Sequence, residues 1–115
     1  MTWSQLNELA PELVTIGSHT MSHPILPVLS DSDLEYEMQE SRTTLQRQLR
    51  RPIDYFCYPN GDCDARAVEL ARRTYLAAVT VETACLNTRD LHRLPRVPAC
   101  DNVPLLFWRL HSPAA

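Results

Sequence analysis

Apolar and polar positions alternate in short blocks along this chain, and the period of the alternation changes from block to block. Residues 3–10, within "MTWSQLNELA", read as a helix with Thr2 as a plausible N-cap. "LVTI" at 13–16 is short, apolar and partly β-branched, which predicts a buried strand. Residues 31–51 carry the clearest helical period, with Leu34, Met38, Leu45 and Leu49 as the apolar stripe. Ser30 or Asp31 can cap that helix, acidic residues fill its first turns, arginines fill its last, and Pro52 ends it. "IDYFCY" at 53–58 is aromatic and predicts a second strand. "DARAVELARRTY" at 64–75 predicts a helix and "LAAVTV" at 76–81 a third strand. Residues 82–92 read as a loop, "LHRLPRV" at 91–97 as a short fourth strand, and "VPLLFWRL" at 103–110 as a closing helix.

Strand and helix in alternation are the mark of a parallel sheet with helical crossovers. The class is therefore α/β, and 115 residues suffice for a single domain, 1–115. In such sheets, functional residues gather in the loops after the carboxyl ends of the strands. Here those loops are "GSHTMSHP" and "PNGDCD", and each holds one of the chain's two glycines, Gly17 and Gly61. A glycine there serves either an ordinary turn or the close approach of a ligand.

Composition narrows the function. Hydrophobic residues make up 44% and charged residues 22%, a globular balance. The net charge is −3, and the basic residues are dispersed apart from "RQLRR" at 47–51, read as the solvated end of its helix, which argues against a nucleic-acid surface. No apolar run reaches membrane-spanning length, and no signal peptide is visible. The chain opens in mid-pattern, as a fragment would, so the compartment stays unassigned. Cys57, Cys63, Cys85 and Cys100 form no C-x-x-C pair and are expected reduced and partly buried. Trp3 and Trp108 are expected in a core or an interface.

His19 and His23 are the candidate ligands. Imidazole suits zinc and other divalent transition metals, and two histidines four apart can converge on one ion if the segment makes a helical turn. Spacing alone equally allows polar loop residues bonded to backbone.

At this point the chain resembles a known family. "IGSHTMSHP" resembles the H-[ST]-x-x-H motif of the polysaccharide deacetylases, carbohydrate esterases that include chitooligosaccharide deacetylases. "TWSQLNELA" resembles the helix before that loop, "LSDSDLEYEMQESRTTLQRQLRRPIDYFCYPNGDCD" the helix, strand and turn after it, and "LPRVPA" a late segment. The resemblance implies a divalent metal, often zinc, held by two histidines and one aspartate, with a second aspartate as general base. It implies hydrolysis of N-acetyl or O-acetyl groups on a poly- or oligosaccharide. Carried residue by residue, it makes His19 and His23 metal ligands and Ser18 and Thr20 their supporting neighbours. It makes Tyr58, Pro59, Asn60 and Gly61 a groove-forming turn that binds substrate, with the Asn60 backbone N–H as oxyanion donor. Arg96 matches a common family arginine, for which a structural ion pair is the expected role. The resemblance also implies a late histidine as general acid in a leucine–histidine setting, which "RLH" at 109–111 matches at His111, although an exposed tail histidine is the expected role there; His92 is the other late histidine.

The chain also departs from the family. Its aspartate pair belongs to a T-F-D-D-G motif on a first strand, and the eighteen residues before His19 contain no aspartate. Asp62 and Asp64 are poor substitutes. The implied fold is thus a partial (β/α) barrel, about four parallel strands with crossover helices, truncated at its N-terminus with the first strand missing. An exposed sheet edge invites completion by a partner chain or a missing N-terminal segment. Two functions follow. One is a metal-dependent deacetylase, or the C-terminal piece of one. The other is a non-catalytic truncated domain that binds metal or glycan weakly or packs against a partner. With Met1 as the true start, no deacetylase activity is expected.

Overall fold

The structure is a computed structural model that describes residues 1–81 and 90–111. Helix α1 spans Trp3–Asn7 and begins with a reciprocal capping box, in which Thr2 accepts from the Gln5 N–H and Gln5 accepts from the Thr2 N–H. It is shorter than the predicted 3–10. The long helix starts at Ser30, whose hydroxyl accepts from the Asp33 N–H. It runs through α2 (Asp31–Glu35), a π-helical turn (Tyr36–Glu40) and α3 (Ser41–Leu49). Arg50 ends it in left-handed backbone, two residues before Pro52, so the predicted end at residue 51 shortens to 49. Leu34, Met38 and Leu49 are buried as the stripe requires, with Leu45 packed beside them.

Strands β1 (Tyr55–Cys57) and β2 (Ala77–Val79) pair in parallel, with Phe56 opposite Ala78. Helix α4 (Ala65–Thr74) makes the crossover and is capped by Asp64, which accepts from the Ala67 N–H at 2.9 Å. Two single parallel bridges extend the sheet: Ser18 beside Phe56 on one side, Leu94 beside Val79 on the other. Four segments therefore lie side by side in chain order, but only the inner two form strands. The predicted strand at 13–16 does not form. Leu13 is 83% exposed, and the chain first meets β1 at Ser18. The predicted fourth strand shrinks to the Leu94 bridge. Most of the predicted 82–92 loop, Cys85 included, lies outside the described residues.

Core residues Leu26, Leu34, Met38, Ile53, Phe56, Tyr58, Ala71, Tyr75 and Ala78 fill the space between sheet and helices. Helix α5 (Val103–His111) closes the chain and keeps much of its apolar surface exposed. Trp3 and Trp108 are 43% and 63% exposed, so neither indole is core. Among the described residues, Cys57, Cys63 and Cys100 are all of intermediate burial. Arg51, from the basic run, turns inward and donates to the Leu6 carbonyl, tying α1 to the end of α3.

Candidate functional site

The parallel pairing puts the two glycine-bearing loops at one edge of the sheet. Ser18 donates its N–H to the Tyr55 carbonyl at 2.8 Å, and its own carbonyl accepts from the Cys57 N–H at 2.9 Å. His19 is thereby pinned beside the end of β1, immediately before the Tyr58–Pro59–Asn60–Gly61 turn. Gly17 fits because a Cβ there would sit 3.1 Å from the Tyr55 carbonyl oxygen.

The two imidazoles meet. Their ring centres are 4.8 Å apart, with the planes at 74°. Two imidazoles sharing one ion at zinc–nitrogen bonds of about 2 Å would have their centres about 5 Å apart. Convergence does not come from a helical turn, however. Thr20 and His23 adopt left-handed backbone, at φ 68° and 59°. For side-chain-bearing residues that conformation costs roughly 1–2 kcal/mol each, and for a β-branched threonine it is a marked departure. Such strain collects where a loop must hold a particular shape. Thr20 Oγ1 binds within the turn, donating to the His19 carbonyl and accepting from the His23 N–H at 3.1 Å.

His19 Nδ1 lies 2.7 Å from the Cys57 carbonyl oxygen. A carbonyl only accepts, so this bond places the proton of the neutral ring on Nδ1 and leaves the Nε2 lone pair for a ligand. The donor chemistry fits a divalent transition metal on the imidazole side. Among the described residues, no group of three or more His, Cys, Asp or Glu completes such a site. Asp64 is occupied as the cap of α4 and pairs with Arg66 at 2.9 Å. Burial alone would raise its carboxyl, but the Ala67 N–H and the Arg66 guanidinium hold it below the usual range.

The turn after β1 is a 3-10 turn, Pro59–Gly61, in which Asn60 and Gly61 are left-handed at φ 55° and 76°. Asparagine tolerates that backbone better than most residues. Asn60 is exposed at the sheet edge, while Tyr58 and Pro59 are buried. Tyr58 donates its hydroxyl to the His92 carbonyl at 2.8 Å, and burial pushes its phenol far above the usual range. Its side chain is thus part of the core. Gly61 is required by packing as well as φ: a Cβ would come within 2.6 Å of the Val81 nitrogen.

The remaining sequence candidates stand apart. His92 Nε2 meets the Tyr75 carbonyl oxygen at 2.9 Å, and its backbone N–H donates to Asp90. His111, at the end of α5, stacks on Phe107 at 4.1 Å and is exposed, as a tail histidine should be. Arg96 donates a hydrogen bond to the Thr80 carbonyl at 2.7 Å, and the expected ion pair is not found among the described residues.

Sequence reasoning missed Glu37. It is 8% exposed, and it accepts from the N–H groups of Met21 and Ser22 and from the Ser22 hydroxyl. Burial would raise its carboxyl, but the hydrogen bonds from Ser22 and Met21 outweigh that and lower it. The available signal was a polar residue on the apolar face: Glu37 stands three residues after Leu34, and Ser41 stands three after Met38.

Comparison with known proteins identifies the family and the fold. A polysaccharide deacetylase family model matches residues 1–79. YxkH of Bacillus subtilis strain 168, named as a polysaccharide deacetylase, is 27% identical over 99 residues, which are 84% of this chain and 36% of YxkH. The deacetylase PplD of Streptococcus pyogenes, solved in complex with acetate, superposes with a TM-score of 0.80 at 26% identity, over 98% of this chain and 51% of PplD. BC0361, a polysaccharide deacetylase from Bacillus cereus, shares the fold with a TM-score of 0.73 at 23% identity, over 84% of this chain and 31% of BC0361. The chain spans about a third to a half of the length of these relatives.

Proposed function

Because the chain belongs to the polysaccharide deacetylase family, we propose that residues 17–61 form the imidazole and oxyanion side of a metal-dependent site that removes acetyl groups from a glycan. The observation that carries this reading is the meeting of the His19 and His23 rings, with His19 Nδ1 bonded to the end of the strand that leads into the Asn60 turn. His19 and His23 would hold the ion, zinc by the chemistry of the donors, with a carboxylate from outside the described residues to complete the set. A divalent ion bound there would supply Lewis-acid polarisation of the acyl carbonyl and a nucleophilic water at neutral pH.

This chain's own residues do three things. The Cys57 carbonyl keeps the proton on His19 Nδ1, so the ring presents a lone pair at Nε2. The left-handed Asn60 turn holds its backbone N–H at the sheet edge, where it can donate to the oxygen that gains charge as the acyl carbon becomes tetrahedral. Gly61, with no Cβ, lets that turn lie close against Val81. Water adds to the acyl carbon, the bond to the sugar nitrogen breaks, and acetate and the amine leave. PplD, a deacetylase solved with acetate, supports that product class by analogy.

Zinc titration of the chain, followed by NMR of the histidine rings, tests the reading. Resonances of His19 and His23 should move together, and those of His92 and His111 should not. Acetate release from an N-acetylated oligosaccharide by the protein carrying this chain should vanish in His19→Ala. Zinc-independent rings at both positions would sink the proposal. Zinc binding by the chain without acetate release would mark it as the non-catalytic piece and confine the activity to a protein that supplies the carboxylates.

A further inference from the structure

The 19–23 loop contains two left-handed residues that bear side chains, and it belongs to no helix or strand. Its own hydrogen bonds, centred on Thr20, do not fasten it to the body of the protein. The bond from the His19 ring to the Cys57 carbonyl ties down its first residue, and Glu37 ties down its middle. Its Oε2 accepts from the Met21 N–H at 2.8 Å and the Ser22 N–H at 2.9 Å, and its Oε1 accepts from the Ser22 hydroxyl. These bonds join positions fifteen and sixteen residues apart.

The carboxylate reaches the loop from the π-helical turn Tyr36–Glu40. Such turns displace side chains from their α-helical directions and recur at functional sites. This one is locked from below, because the Met38 carbonyl accepts from the Tyr75 hydroxyl at 2.6 Å and from the Ser41 hydroxyl at 3.0 Å. Ser41 in turn lies 2.6 Å from Ser18, the residue before His19. Residues 37–41 therefore hold the loop at Met21 and Ser22 and the residue that leads into it, Ser18.

We propose that Glu37 is a positioning residue for the histidine pair, with the π-turn as its mount: its carboxylate holds residues 20–23 in the left-handed turn that brings the two imidazoles together. The inference rests on reading His19 and His23 as metal ligands. Glu37 touches neither ring and acts only through Met21 and Ser22.

The test uses the full chain, zinc ion as the probe, and NMR of the histidine rings with and without zinc. The wild-type chain should show a cross-relaxation contact between the two rings. Glu37→Ala should lose that contact and bind zinc about 10–100-fold more weakly, the usual effect of removing a group that orients a ligand. Glu37→Gln, which retains the shape and one oxygen to accept from the Met21 and Ser22 N–H groups, with its NH2 able to donate to the Ser22 hydroxyl oxygen, should restore most of both. Ser22→Ala should weaken zinc binding several-fold. Glu35→Gln, on the same helix but away from the loop, should change neither readout. A folded Glu37→Ala with contact and affinity intact would overturn the proposal, and so would an equal loss in Glu35→Gln. Should Glu37→Ala fail to fold, unaltered zinc affinity in Ser22→Ala overturns it. Failure of zinc to move the wild-type rings instead removes the metal reading, and the ring contact in the variants still decides whether Glu37 positions the pair.

Discussion

Thr20, His23, Arg50 and Asn60 all bear side chains in left-handed backbone, and they do so for different reasons. Arg50 merely terminates a helix, where glycine is the usual occupant. Arg50→Gly should therefore raise stability by about 1 kcal/mol, read as a higher denaturant midpoint with unchanged slope. Gly61 is the opposite case, since its φ is positive and Val81 occupies the space of a Cβ. Gly61→Ala should cost at least about 2 kcal/mol in the same measurement. Among the described residues, Glu37 and Asp64 are carboxyls held low, and both contribute to the acid response. A carboxyl lower in the folded chain than in the unfolded one adds stability that is complete above the unfolded value and is lost as pH falls through the folded value. Stability should therefore decline below about pH 4, beneath the unperturbed carboxylate range, and Glu37→Gln should flatten that decline. A decline of equal steepness in the variant would show that Glu37 is not its source.

At the scale of elements, the helices were readable and the outer strands were not. The helix over 31–49 declared itself through a capping serine, a stripe and a proline, all local signals. β1 and β2 were located to within two residues by their aromatic and β-branched character. "LVTI" has the composition of a strand, yet pairing requires a neighbouring backbone, and none pairs with residues 13–16 in the described chain. The histidine pair was legible as a motif, but its geometry was not, because a left-handed turn leaves no periodic trace. The π-turn was equally silent, although Glu37 and Ser41 on the apolar face hinted at it. Tyr75 tests this element. Tyr75→Phe removes the bond to Met38 and leaves that carbonyl to Ser41 alone. It should cost about 1 kcal/mol and speed amide exchange in residues 36–41, while Tyr58→Phe should leave those amides unchanged.

At the scale of the whole molecule, the core lies on the helix side of a small sheet, and α5 lies outside it. Val103, Phe107 and Trp108 are each more than half exposed, and Trp3 is nearly so. Apolar side chains that stay in water contribute little to folding, because burial supplies the free energy. Trp108→Ser and Phe107→Ser should therefore each change stability by less than about 0.5 kcal/mol. Replacing Phe56, which is 1% exposed and packs edge-on to Tyr58 at 5.2 Å, with alanine should cost about 3–5 kcal/mol. Intrinsic fluorescence checks the same point without mutation. Both indoles already face solvent, so the emission of the native chain should be open to quenching by acrylamide and should shift little to the red on unfolding. A blue-shifted, unquenchable native emission would mean that α5 or α1 is covered in solution, and the low cost assigned to Trp108→Ser would fall with it.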